Sequence, residues 1–272
     1  MSNDLVTGDV AGVGGARISF QVEGPSDAPW IVLSNSLATN LTMWDPQMDA
    51  LRAQRRVLRY DQRGHGDSEA AAPPYTEDQL VGDVVAVLDH LGLDSVDFMG
   101  LSLGGMTGLG LAISHPDRVN RLVCADARAD APDAYKAIWD TNIARLQEGG
   151  IDALCEPTLG RWFTEEFSAD PENAAFLDGI RDMIKGTSPQ GYEGVGRFLQ
   201  SLDLLPRISQ ISCPVLYVVG EDDMAAPVAA MQNMADQTPD GRLEVISQAA
   251  HLSNLQQPEA YLGAVSAFLG LE

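Results

Sequence analysis

Ser102, at the centre of Gly100-Leu101-Ser102-Leu103-Gly104, is the side chain of this sequence best placed to do chemistry. The G-x-S-x-G pattern lies between an apolar run (Val96, Phe98, Met99) and a Gly- and Leu-rich segment of helical character. Strand, sharp turn and helix would put the serine at the apex and push its hydroxyl out of the backbone. The glycines two positions before and after remove side chains that would collide as the helix folds back on the strand. The chemistry implied is nucleophilic attack on a carbonyl. A serine hydroxyl is a weak nucleophile and needs an adjacent base held by a third group.

The sequence offers four histidines as that base. His251, in Ala249-Ala250-His251-Leu252, follows the last strand-like run, which places it at the same sheet edge as Ser102. It is the expected base. His65, in the turn-rich Arg63-Gly64-His65-Gly66-Asp67-Ser68, is the alternative. His90 falls on the solvent side of a helix. His115 ends the helix after Ser102, where a cation suits the helix dipole. For the orienting acid, Glu221, Asp222 and Asp223 all directly follow an apolar run at 214–220. Spacing does not choose among them, and a solvated acidic loop accounts for the other two. An oxyanion hole requires two backbone N–H groups. Leu103, directly after the serine, supplies one; Leu37, in the loop Asn35-Ser36-Leu37, supplies the other.

The elements that must position these groups alternate. Residues 18–22 alternate in polarity as an early, antiparallel strand. The continuous apolar run 30–33 reads as a buried parallel strand, and 57–60 as a weaker one. Residues 76–91 read as an amphipathic helix, with Leu80, Val84, Leu88 and Leu91 spaced by four, four and three. Thr76 and Gln79 make a capping box and Gly92 the stop. Further strands are expected at 96–99, 122–125, 214–220 and 243–246, and a closing helix at 261–269. Gly12-Val13-Gly14-Gly15 precedes a strand rather than a helix, so it is a turn and no phosphate loop. The alternation breaks once. Residues 129–206 contain helical patterns (Trp139, Ile143, Leu146; Phe176, Ile180, Ile184) and no convincing strand. The predicted architecture is α/β: a mostly parallel sheet of about eight strands with helices on both faces. The core comprises 1–128 and 207–272, and 129–206 form an inserted helical cap over the strand ends, where ligands bind in open sheets. A separate domain with its own role is the other reading of that insertion.

Composition sets limits. The 272 residues carry a net charge of −22, with 45% hydrophobic and 21% charged residues. Such a chain buries a sizeable core and repels nucleic acid and anionic membrane surfaces. Only Lys136 and Lys185 are lysines, so arginine carries nearly all positive charge. Cys124, Cys155 and Cys213 make no disulfide framework and suit a reducing cytoplasm. Met1-Ser2-Asn3-Asp4-Leu5 has no basic-then-apolar leader pattern. No run approaches a membrane span. No Cys/His cluster has metal-ligand spacing, so neither metal nor cofactor is expected. Asp130 and Asp133 read as solvated. The expected partner is a small molecule; a homo-oligomer is compatible with the sequence.

The order serine, acid, histidine, together with the motifs, is similar to the α/β-hydrolase superfamily along nearly the whole chain. Within it the sequence resembles 3-oxoadipate enol-lactonases, enzymes of aromatic-compound catabolism. Four stretches carry the resemblance. They are Ser34-Asn35-Ser36-Leu37-Ala38-Thr39 with Met43-Trp44-Asp45-Pro46-Gln47, Arg59-Tyr60-Asp61-Gln62-Arg63-Gly64-His65-Gly66, Gly100 to Met106, and Ala249-Ala250-His251-Leu252-Ser253-Asn254. The family's G-x-x-D pattern, laid on Gly220-Glu221-Asp222-Asp223, implies Asp223 as the acid and leaves His65 a structural role. The sequence departs from the family at Ala38, at Ala125-Asp126-Ala127-Arg128, and at Asn142, where an arginine is usual. Most of those changes fall in or near the cap, which shapes the pocket. An enol-lactone of this kind carries a free carboxylate. Arg128 is the expected cation for it, beside Trp139 as a further substrate contact, although Asp126 or Asp130 could pair with Arg128 instead. A neutral lactone or ester is the other substrate class. The alternative activity is that of a cap-bearing enzyme acting on other esters, on C–C bonds of ring-cleavage products or on peroxides with the same three residues; a catalytically silent receptor is the third reading.

Overall fold

The structure, a computed structural model, describes residues 5–271; residues 1–4, read above for a leader, and residue 272 lie outside them. The sheet has eight strands: β1 (Val6–Ala11), β2 (Arg17–Glu23), β3 (Trp30–Ser34), β4 (Arg56–Tyr60), β5 (Val96–Leu101), β6 (Val119–Ala125), β7 (Val215–Gly220) and β8 (Gly241–Ile246). Their order is β1-β2-β4-β3-β5-β6-β7-β8. β1 and β2 run antiparallel to their neighbours and the other six are mutually parallel. All six residues of β5 and of β7 are buried, as strands covered on both faces must be. β2 shows the alternation of a one-sided strand, with Ile18, Phe20 and Val22 inward. β1 has no counterpart in the sequence reading.

The covering helices are α1 (Asp45–Gln54), α2 (Glu77–His90), α3 (Leu103–Ser114), then α4 (Asp133–Gly149), α5 (Cys155–Trp162), α6 (Glu165–Ala169), α7 (Ala174–Lys185) and α8 (Pro189–Gln200), and finally α9 (Val228–Gln237), α10 (Ser253–Gln256) and α11 (Pro258–Leu269). α2 begins with a reciprocal cap. The Thr76 hydroxyl accepts from the Gln79 N–H at 3.2 Å, and the Thr76 N–H donates to Gln79 Oε1 at 3.0 Å. It stops where Gly92 takes φ +68°. Helices α4 to α8 all lie between β6 and β7 in sequence. The two ends of that stretch meet: Asp130 bridges to Asp203, and the Leu204 and Leu205 N–H groups both donate to the Ala129 carbonyl.

Parallel strands deliver their carboxyl ends to one edge, and the loops there are tied together by buried polar groups. The Gln62 amide donates to the Asn35 carbonyl at 2.5 Å, and Asp61 accepts the Leu41 N–H at 2.8 Å. Arg63 is wholly buried. It pairs in a fork with Asp83 of α2, Nε to Oδ2 and Nη2 to Oδ1 both at 2.6 Å, and lies over the Tyr75 ring at 5.4 Å. His65 is equally buried, with Nδ1 3.0 Å from the Arg63 carbonyl. Burial pulls its pKa down to about 4, so it stays neutral and holds the loop. The Arg63–Asp83 fork makes a stability prediction. Asp83→Ala leaves a guanidinium buried without its counter-charge and lowers unfolding free energy by about 3–5 kcal/mol, read as a fall in the urea midpoint at unchanged slope.

Candidate active site

Ser102 is the hinge between β5 and α3 and has φ +55°, a conformation serine rarely adopts. Its N–H donates to the Ala125 carbonyl at 2.8 Å, fixing the turn on β6. The turn is tight. A Cβ on Gly100 would strike the Gly104 carbonyl, and one on Gly104 would strike the Ser34 carbonyl of β3. Both glycines are therefore required by close backbone approach.

Three side chains from three loops converge here. His251 Nε2 is 3.0 Å from Ser102 Oγ, and His251 Nδ1 is 2.8 Å from Asp223 Oδ2. The other oxygen of Asp223 accepts the Ala225 and Ala226 N–H groups at 2.7 and 3.0 Å. Asp223 is buried, whereas Glu221 and Asp222 are exposed. Burial acts to lower the His251 pKa, but the Asp223 charge and hydrogen bond outweigh it, so the imidazole is more basic than an ordinary histidine. His65, the alternative base, contacts its own loop; His90 and His115 are exposed.

Leu37 lines the same cavity as Ser102, and Leu103 directly follows the serine at the start of α3. Among the described residues neither backbone N–H has a protein acceptor. The Leu37 loop is braced from within, since the Asn35 amide donates to the Thr39 carbonyl at 3.1 Å and the Thr39 hydroxyl to the Ser36 carbonyl at 2.8 Å. Ala38 sits at φ +59° in this loop.

Asp126 enters the sequence reading only within a stretch that departs from the family and as a partner for Arg128. It follows β6, is fully buried at φ +47°, and accepts from the Gly220 N–H at 2.8 Å and the Ser253 hydroxyl at 2.5 Å. It thus fastens the end of β7, which leads to Asp223, to the loop that carries His251. Burial and then the neighbouring Asp223 charge push its pKa well above that of an ordinary aspartate. No signal in the sequence marks this role, because it depends on three loops meeting.

A cavity of about 260 Å³ opens on Ser102 and His251. Its walls are chiefly apolar, with Leu37, Met106, Tyr135, Trp139, Trp162 and Tyr192 among them, and Arg128 and Arg161 both reach it. Arg128 is not free. Its Nη2 pairs with Asp130 at 2.8 Å and its guanidinium lies 5.2 Å from the Tyr135 ring centre. The ion pair foreseen as an alternative for Arg128 is therefore present, and Asp130 is engaged rather than simply solvated. Arg161, on α5, has no motif around it that sequence reading could use. Among the described residues no three His, Cys, Asp or Glu side chains gather so as to hold a metal ion, and no helix is long and apolar enough to cross a membrane.

The arrangement can activate a hydroxyl for attack on a carbonyl bound in an apolar, largely enclosed space. Comparison with known proteins agrees with this architecture. A family model described as the alpha/beta hydrolase fold matches residues 29–258. 3-Oxoadipate enol-lactonase 2 of Acinetobacter baylyi is 36% identical over 253 residues, which cover 93% of this chain and 92% of that protein. The crystal structure of the enol-lactonase from Burkholderia xenovorans LB400 superposes with a TM-score of 0.91 at 36% identity, covering 97% of this chain and 100% of that one. A thermophilic esterase from Thermogutta terrifontis, with malate bound, gives a TM-score of 0.88 at 27% identity, over 97% of this chain and 98% of that one. Sequence and architecture together thus place this chain in the α/β-hydrolase family, where it is similar to the enol-lactonases.

Proposed function

We propose that this hydrolase opens a lactone or carboxylic ester through an acyl-enzyme on Ser102. The observation that carries the reading is the chain Ser102 Oγ, His251, Asp223, with spacings of 3.0 and 2.8 Å. Ser102 Oγ attacks the carbonyl carbon while its proton passes to His251 Nε2. The carbonyl oxygen becomes an oxyanion, held by the Leu37 and Leu103 N–H groups; removing one such donor from a hydrolase of this type costs on the order of 10²–10³ in rate. Asp223 accepts from His251 Nδ1–H, keeping the lone pair on Nε2 aimed at the hydroxyl. Collapse expels the ring or alcohol oxygen, which takes the proton from His251. Water, deprotonated by His251, then attacks the acyl carbon, and the proton returns to Ser102 as the acid leaves. Helices of residues 129–206 act as the cap. α4, α5 and α8 contribute Trp139, Trp162 and Tyr192 to the cavity wall, which supports that role. Three buried, unpaired cysteines suit a reducing compartment, and the reading places the enzyme there.

The test is a substrate panel of enol-lactones, aryl esters, ring-cleavage ketones and peroxide-dependent halogenation. Turnover of lactones or esters is expected; activity confined to ketones or peroxides would contradict the reading. A pH profile adds a second check. The base must be neutral, so kcat/KM falls as pH falls through the His251 pKa. Because that pKa is raised, the acid limb is centred above the ordinary histidine value. Asp223→Asn removes the charge that raises it, so any residual activity shows the limb moved to lower pH.

A further inference from the structure

The cavity has a second polar locus on the cap. Thr158 and Arg161 are three residues apart on α5, hence on one face of the helix, and both line the cavity. Thr158 is 2% exposed and its hydroxyl has no hydrogen-bond partner, which is rare for a buried polar group. Arg161 donates from Nε to the Pro157 carbonyl at 3.2 Å, and its two terminal nitrogens meet no carboxylate among the described residues. That is unusual in a chain with 39 acidic and 17 basic side chains, where Arg128, the other cavity arginine, is already neutralised by Asp130. Arg161 is also close enough for its charge to bear on His251 and on the phenols of Tyr135 and Tyr192. A guanidinium without a carboxylate partner beside a free hydroxyl, in a small and chiefly apolar cavity, matches one planar anion.

We infer that Arg161 and Thr158 bind a carboxylate carried by the substrate apart from the carbonyl that Ser102 attacks, and that Arg128 does not. The inference rests on the acyl-enzyme reading and narrows it to acidic lactones or esters. Guanidinium nitrogens would take the carboxylate side-on while the Thr158 hydroxyl donates to one of its oxygens. Arg128, held by Asp130 and laid over Tyr135, would shape the wall.

The experiment compares an aryl ester or lactone bearing a free carboxylate with the same compound masked as its neutral methyl ester. Wild-type protein is expected to prefer the acid by at least about tenfold in kcat/KM, the scale of a charge-assisted contact. Arg161→Gln should abolish that preference through KM, Arg161→Lys restore part of it, and Thr158→Val reduce it severalfold. Arg128→Gln should leave the acid-to-neutral ratio within about twofold. A wild-type protein with no preference, or a ratio that survives Arg161→Gln and collapses in Arg128→Gln, would overturn the assignment, and the wild-type comparison stands even if a variant fails to fold. Failure of the underlying reading looks different: neither compound is turned over, or turnover of both survives Ser102→Ala.

Discussion

Ser102→Ala is expected to lower kcat on an activated ester by about 10⁶, the loss seen when a serine nucleophile is removed from a comparable hydrolase. Folding should be unaffected. Alanine at φ +55° meets the same backbone constraint that serine already accepts. Among the described residues the lost hydroxyl bonds only to His251, which lines the cavity with it, so no other buried group loses a bond. The thermal midpoint should stay within a few degrees and the far-ultraviolet circular dichroism should not change. A variant with an unaltered spectrum that keeps wild-type turnover would show that the nucleophile is elsewhere.

Asp223→Asn is the second large effect, a fall in kcat/KM of about 10⁴. The reason lies in the hydrogen bonds on the far side of the carboxylate. One oxygen accepts two N–H groups, from Ala225 and Ala226, and only an oxygen can stay there. An asparagine must therefore turn its NH₂ toward His251 Nδ1. Nδ1 then becomes the acceptor, the proton moves to Nε2, and the lone pair that should take the Ser102 proton is gone. Glu221→Gln and Asp222→Asn alter exposed side chains with no part in this chain of bonds, and both should stay within about twofold of wild type in kcat/KM. A loss confined to Asp222→Asn would mean that the loop is threaded one residue differently.

Much of this geometry is legible in the sequence because periodicity and loop position are enough to specify it. Buried parallel strands announce themselves as continuous apolar runs, and the α2 capping box as Thr76 and Gln79. The meeting of Ser102 and His251 follows from topology, since each comes after a parallel strand and all such strands end at one edge. β1 was illegible for the converse reason. Its sequence, with Gly8 and Asp9 in the middle, has no inward-facing apolar alternation, and backbone pairing to β2 holds it at the sheet's edge. Choosing among Glu221, Asp222 and Asp223 needed burial, which a run of adjacent acids does not reveal; the resemblance named Asp223, and the fold buries that one alone of the three. Asp126 and Arg161 lay beyond reading altogether. One acts by fastening loops that are distant in sequence, and the other reaches the cavity only because α5 is laid over it. Arg128 follows a strand end, which is all the sequence shows of it, but a near neighbour, Asp130, already claims its charge.

Treatment with a fluorophosphonate, followed by intact-mass and peptide mass spectrometry, tests the central claim most directly. One adduct per chain is predicted, on Ser102, forming in step with loss of esterase activity and absent or far slower in His251→Ala. An enzyme that remains fully active with Ser102 unmodified, or that loses activity through an adduct on another residue, would contradict it.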